Sequence, residues 1–134
     1  MNILLDTQIA IWAVLDDNRL KKKAREFLLD EGNNFYYSAA SVFEVDIKTK
    51  SRKNNLEFTT DDFVEMCDEA GYIAMPLKGE HIAGANRLEW LGESKEHQDP
   101  FDRILLSQAI VENMHFMTAD AMIPRFKQSC VIKV

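Results

Sequence analysis

The sequence predicts an α/β domain in three layers, with a central, mostly parallel β-sheet between two sets of helices. Short β-prone runs alternate with longer helical ones along the chain, a pattern that calls for strand–helix–strand crossovers rather than hairpins. Such crossovers make neighbouring strands parallel and cover both faces of the sheet. At 134 residues, 46% of them hydrophobic, residues 1–134 are expected to form one domain with enough apolar surface to bury a core.

The first β-prone run, over residues 2–5, is Asn-Ile-Leu-Leu, and a helix over 8–15 follows it. Residues 19–30 have amphipathic spacing, with Leu20, Ala24, Phe27 and Leu28 on one side, and Gly32-Asn33-Asn34 stops them. A strand over 35–38 leads to a helix over 39–50 and a polar turn over 51–55. The helix expected over 60–69 starts among Thr and Asp residues able to cap it and ends before Gly71. Residues 72–75 are strand-like and Pro76 stops them. A helix over 79–91, a polar loop over 92–98 and a helix over 100–113 come next. A strand over 115–118, a short helix near 121–126 and a final strand over 131–134 complete the order. In sheets of this kind the ligand crevice lies beyond the carboxyl ends of the strands.

The net charge of −6 and isoelectric point of about 5.0 argue against a simple non-specific nucleic-acid binder, a class that is basic. They leave open an enzyme whose own carboxylates hold divalent cations. No apolar run approaches the roughly 20 residues of a membrane helix. The start, Met-Asn-Ile-Leu-Leu-Asp, lacks the basic region of a signal peptide. Cys67 and Cys130 match no ligand spacing, so reduced thiols in a cytoplasmic protein are expected.

Asp102 demands a chemical explanation. It lies in the segment HQDPFDRILLSQA at 97–109, whose helix has an apolar stripe through Leu105, Leu106 and Ala109. Asp102 precedes the two leucines by three and four residues, which puts it on the buried side of that stripe. A carboxylate aimed at an interior is costly unless something pairs with it or coordinates it. Three more acids fall near the same sheet edge. Asp6 directly follows the first strand, Asp120 comes two residues after the strand over 115–118, and Glu44 lies early in the helix over 39–50.

Each acid has an ordinary explanation. Asp6 and Asp120 suit helix N-caps, and Ser41-x-x-Glu44 has the pattern of a capping box. Asp99-Pro100-Phe101-Asp102 supplies an N-cap, a proline at N1 and an acid at N3. Taken together, however, four acids at one edge repel each other, and bound divalent cations remove that penalty. Mg²⁺ and Mn²⁺ prefer oxygen ligands. His81, His97 and His115 lack an HxxxH spacing and no cysteine pair assists, which argues against zinc. His97 reads as an ordinary loop residue.

Four ordered segments carry a family resemblance: Leu4-Leu5-Asp6-Thr7, Ser38-Ala39-Ala40-Ser41-Val42-Phe43-Glu44, HQDPFDRILLSQA, and Thr118-Ala119-Asp120. Across essentially the whole chain they resemble the motifs of the PIN-domain family, above all the VapC-type toxins of bacterial toxin–antitoxin modules. The resemblance implies a three-layer PIN-like fold and a metal-dependent endoribonuclease. Its Mg²⁺ or Mn²⁺ ions would be held by Asp6, Glu44, Asp102 and Asp120, and a small antitoxin would neutralise it. Phe43 stands where this subgroup often has Trp, a change that bears on packing more than on chemistry.

Around the acids, Thr7 and Thr118 could hold carboxylates through their hydroxyls, or serve simple turn and strand roles. Asp99 is expected to shape the helix start rather than bind the metal, with a supporting place beside the ligands as the alternative, and Arg103 could pair with an acid, contact phosphate or be solvated. Lys48 and Arg52, one and two turns beyond Glu44, could track an RNA backbone or simply end the helix favourably. Asp46 is expected to be solvated, as is the run Lys21-Lys22-Lys23. Trp12 and Trp90 suit a core or an interface. With Ile9, Ile11 and Leu15, Trp12 makes an apolar first helix that suggests a homodimer or antitoxin-facing surface.

Haloacid-dehalogenase-like phosphatases need a second Asp two residues after the first, where this chain has Gln8. Response-regulator receivers need adjacent acids after the first strand and a late lysine, which are not evident. A catalytically inactive PIN-like binding module is the remaining alternative, and intact acids at all four positions argue against it.

Overall fold

The computed structural model describes residues 1–51, 56–93 and 95–134. Five strands form one sheet: β1 (Asn2–Leu5), β2 (Asn34–Ser38), β3 (Ile73–Met75), β4 (His115–Thr118) and β5 (Val131–Lys133). Their order is β3-β2-β1-β4-β5, and every neighbouring pair is parallel. Among the described residues six α-helices accompany them: α1 (Thr7–Val14), α2 (Lys22–Leu29), α3 (Ala39–Lys50), α4 (Thr60–Glu69), α5 (Gly79–Gly84) and α6 (Pro100–Val111).

Alternation along β1 divides the core. Ile3 and Leu5 pack with α1, α2 and α4 through Ile9, Ala24, Phe63 and Cys67, whereas Leu4 packs with α6 through Leu105, Leu106 and Ala109. The central strands are covered on both faces: Ile3, Leu4, Leu5, Phe116, Met117 and Thr118 are fully buried. The expected three-layer α/β/α architecture with a parallel sheet is therefore the one observed. β1 pairs with both β2 and β4, so the strand order reverses there and opens a crevice past the ends of β1 and β4.

Local chemistry sets most boundaries. Thr59 and Asp62 form a reciprocal capping box at the start of α4. α4 and α6 close in the same way. Tyr72 N–H reaches the Cys67 carbonyl around Gly71 (φ 82°), and Met114 N–H reaches the Ala109 carbonyl around Asn113 (φ 54°). Cys67 and Cys130 are free thiols. Among the described residues no helix is long and apolar enough to cross a membrane.

Three expected elements differ. α2 starts at Lys22 rather than at residue 19, because Asp17 captures both the backbone and the guanidinium of Arg19 in a local turn. The helix expected over 79–91 stops at Gly84 and tightens into a 3₁₀ turn, Ala85–Arg87. There Gly84 lies so close to α6 that a Cβ would meet Ser107 Oγ, and Arg103 Nη2 takes the Ala85 carbonyl at 3.0 Å. Trp90 then forms an antiparallel bridge with Phe126, their rings 5.0 Å apart. The helix expected over 121–126 shrinks to a 3₁₀ turn, Ile123–Arg125, in which Pro124 contributes no N–H.

α1 also differs in what it offers a partner. Ile9 and Ile11 are buried in the core of the chain itself, so only Trp12 and Leu15 of that apolar set keep appreciable exposure. Asp46 is tied to Lys50 and to Thr60 Oγ1 at 2.7 and 2.8 Å rather than solvated. Arg52, Lys53 and most of the expected polar turn over 51–55 lie outside the described residues.

Candidate active site

Asp6 stands at the N-cap position of α1, yet its side chain caps nothing. Thr118 Oγ1 at the end of β4 donates to Asp6 Oδ2 at 2.6 Å and accepts from the Asp120 N–H at 3.0 Å. One buried hydroxyl thus joins the acid after β1 to the acid after β4. Asp120 Oδ1 also accepts from the Met122 N–H at 2.8 Å, which fixes the turn that presents it.

Glu44 comes from the second turn of α3. Ser38, not Ser41, caps that helix, and Ser41 is fully buried, accepting from Thr7 Oγ1 at 2.8 Å. The capping-box explanation of Glu44 therefore fails. Thr7 braces α1 against α3 through this bond rather than holding a carboxylate with its hydroxyl. Glu44 Oε2 lies 3.2 Å from Lys48 Nζ, one turn on. Glu44 Oε1 is buried and has no hydrogen-bond partner among the described residues. A carboxylate oxygen in that condition pays a desolvation cost with nothing in return.

At α6 the expected start chemistry is present. Asp99 Oδ1 accepts from the Phe101 and Asp102 N–H groups at 2.9 and 3.1 Å. Asp102, 15% exposed at its side chain, is not consumed by capping; its Oδ2 lies 2.7 Å from His97 Nε2. The same nitrogen is 3.8 Å from Asp120 Oδ2. Arg103 meets none of the four acids. Its Nη1 binds Glu96 at 2.8 Å and the His97 carbonyl at 3.2 Å, and its guanidinium lies over Phe126.

Asp6, Glu44, Asp102 and Asp120 all line one open cleft of about 320 Å³, together with Thr7, Gln8, Trp12, Lys48 and Asp99. Crowding acids into a partly dry cleft raises their proton affinity. Burial, then the charge on Asp102, lifts the Asp6 carboxyl from 3.8 to about 7, against the opposing hydrogen bond from Thr118. Burial also lifts Asp102 to about 6, with Asp99 and Asp120 adding to the rise and His97 opposing it. A divalent cation suits this donor set: it would neutralise the repulsion, and its ligands would be hard carboxylate oxygens with one already vacant on Glu44.

A larger groove of about 920 Å³ adjoins the cleft, sharing Gln8 and Lys48 with it. Ile11, Leu15, Leu56, Phe58 and Met66 give it apolar walls, and Glu57, Asp62, Glu65 and Glu69 outnumber Arg19 and Lys48 among its charged residues. It contains none of the four acids of the smaller cleft.

His97, expected to be an ordinary loop residue, instead turns its ring toward two of the four acids. The available signal was its place in the same short segment as Asp102, five residues upstream.

A fold with acids gathered at the topological switch point of a parallel sheet defines the class. The chain belongs to the PIN domain family, whose model matches residues 3–128. The fold is shared with VapBC2 from Rickettsia felis, solved bound to a DNA fragment from their promoter. Identity is 18% and the TM-score 0.68, over 99% of this chain and 98% of that one. It is shared too with FitAcB from Neisseria gonorrhoeae, at 18% identity and a TM-score of 0.57, over 90% of this chain and 89% of that one. No curated protein matches the sequence. PIN domains are generally nucleases and typically use divalent metals.

Proposed function

We propose that this chain is a metal-dependent endoribonuclease, the toxin of a VapC-like toxin–antitoxin pair acting in the cytoplasm as a single domain over 1–134. The observation that carries this reading is the convergence of Asp6, Glu44, Asp102 and Asp120 on one cleft. Glu44 Oε1 lies buried there without a partner among the described residues. The phosphodiester of RNA is anionic and would be repelled by these acids alone. Mg²⁺ or Mn²⁺, when bound, supplies water activation and charge neutralisation at phosphorus.

The chain's own residues have separable tasks in this reading. Asp6 and Asp102 are the principal ligands, and Glu44 and Asp120 complete the set. Thr118 holds Asp6 in orientation, and Asp99 sets the start of α6 so that Asp102 enters the cleft. Lys48, at the cleft wall beside Glu44, offers a cation to the RNA backbone, and Arg52 belongs to the same proposed track.

An antitoxin partner is supported by the neighbouring toxin–antitoxin structures and by the groove beside α1 and α4. Its apolar walls, with four acids against the cations Arg19 and Lys48, suit a basic, amphipathic segment. A homodimer forms part of the proposal. Phe43 and Ile47, one turn apart on α3, are 60% and 46% exposed, and Phe43 lies against Phe101.

Purified protein incubated with a panel of structured RNAs in EDTA, Mg²⁺ or Mn²⁺ tests this function. Cleavage that needs metal and is lost in folded Asp6→Asn and Asp102→Asn supports it. Absence of both cleavage and divalent-ion binding would return the acids to structural roles and leave a binding module.

A further inference from the structure

We infer that His97 is a nitrogen donor to the cation in this cleft and biases the site toward a first-row transition ion over Mg²⁺. This rests on the reading of the cleft as a metal site and extends it, since the four acids alone would make an all-oxygen set. His97 Nε2, one Asp102 oxygen and one Asp120 oxygen all lie within 4.8 Å of one another. The nitrogen is 2.7 Å from Asp102 Oδ2 and 3.8 Å from Asp120 Oδ2. Ligands at about 2.0–2.3 Å from one ion are separated by about 3–4.5 Å. Small movements therefore allow all three atoms to face a common ion.

The loop is built to keep the ring there. Arg103, itself only 16% exposed, holds the His97 carbonyl at 3.2 Å and anchors the preceding residue through Glu96 at 2.8 Å. Two residues beyond His97, Asp99 ties the chain to the first turn of α6. The imidazole is thus restrained on both sides and is 19% exposed, unlike a solvated loop histidine. Imidazole binds transition ions in preference to Mg²⁺, which takes oxygen and water ligands.

The rival role is positional: His97 could only hydrogen-bond Asp102 and never touch the ion. Pulsed electron paramagnetic resonance of Mn²⁺ added to the whole protein separates the two, because directly ligated ¹⁴N modulates the echo. The expected result is ¹⁴N modulation in wild type that disappears in His97→Gln. The ratio of Mn²⁺ to Mg²⁺ affinity, read by calorimetry, should fall about tenfold in that variant. Bound Mn²⁺ without ¹⁴N modulation, or modulation that survives His97→Gln, overturns the donor role while the nuclease reading stands. Failure of wild type to bind Mn²⁺ overturns both. The wild-type spectrum decides the donor question even if the variant folds poorly.

Discussion

Replacing Asp6 with Asn keeps the shape of the side chain and its capacity to accept from Thr118 while removing a buried charge. In the folded protein the Asp6 carboxyl is raised from 3.8 to about 7. The folded state therefore binds the Asp6 proton more tightly than the unfolded chain does. Below pH 3.8 both states are protonated and the shift costs nothing. As pH rises from about 4 to about 7 the unfolded chain gives up the proton first, so metal-free stability falls. Above pH 7 the full penalty applies, and about three pK units correspond to about 4 kcal/mol. Water entering the open cleft lowers this, so Asp6→Asn should gain about 2–4 kcal/mol at pH 8 and little at pH 4.5. At about 3–4 °C per kcal/mol for a chain of this length, that is roughly a 10 °C rise in Tm. Thermal unfolding by circular dichroism in EDTA, for both proteins at both pH values, reads the difference directly. A variant that is less stable than wild type by the same amount at pH 4.5 and pH 8 would refute the argument, because the carboxylate would then be favourably held.

Three other perturbations follow from the same geometry. Thr118→Val removes the 2.6 Å bond that orients Asp6, and calorimetry should show Mn²⁺ binding about 10–100-fold weaker with the fold retained. Lys48→Ala should weaken RNA binding uniformly across sequences and reduce the slope of log affinity against log salt by about one, measured by fluorescence anisotropy with an uncleaved substrate. Phe63 is fully buried between α4 and the sheet, so Phe63→Ala should cost about 3–5 kcal/mol in urea unfolding.

The sheet was legible because its strands are short apolar runs separated by crossovers, and because Pro76, Gly71 and Asn113 punctuate them with local chemistry. α3 and α4 ran over the expected residues for the same reason: Ser38 and Thr59 cap them within a few positions of sequence. That Asp6, Glu44, Asp102 and Asp120 could share one edge was legible from the alternation of strands and helices, which sets strand ends and first helical turns on one side of a parallel sheet, and the family resemblance singled out these four. What could not be read depended on contacts distant in sequence. The α5 helix stops at Gly84 because α6 approaches it through Ser107, and the Ala85 carbonyl leaves the helix for Arg103, eighteen residues on. Thr7 looks equally suited to holding a carboxylate and to a simple turn role, and only the packing of α1 on α3 turns its hydroxyl to Ser41. His97 reads as a loop residue because nothing in its local pattern shows the ring turned toward Asp102 and Asp120, and its five-residue spacing from Asp102 is the one hint.

Isothermal titration of Mn²⁺ into the metal-free protein at neutral pH tests most directly whether the four acids form a cation site. Saturable binding is expected in wild type. Protons should be released, because Asp6 and Asp102 are partly protonated before the ion arrives, and the measured heat should therefore change with the ionisation enthalpy of the buffer. Binding should be lost in Asp102→Asn. A flat titration in wild type, or an isotherm unchanged by Asp102→Asn, would contradict the metal-site reading.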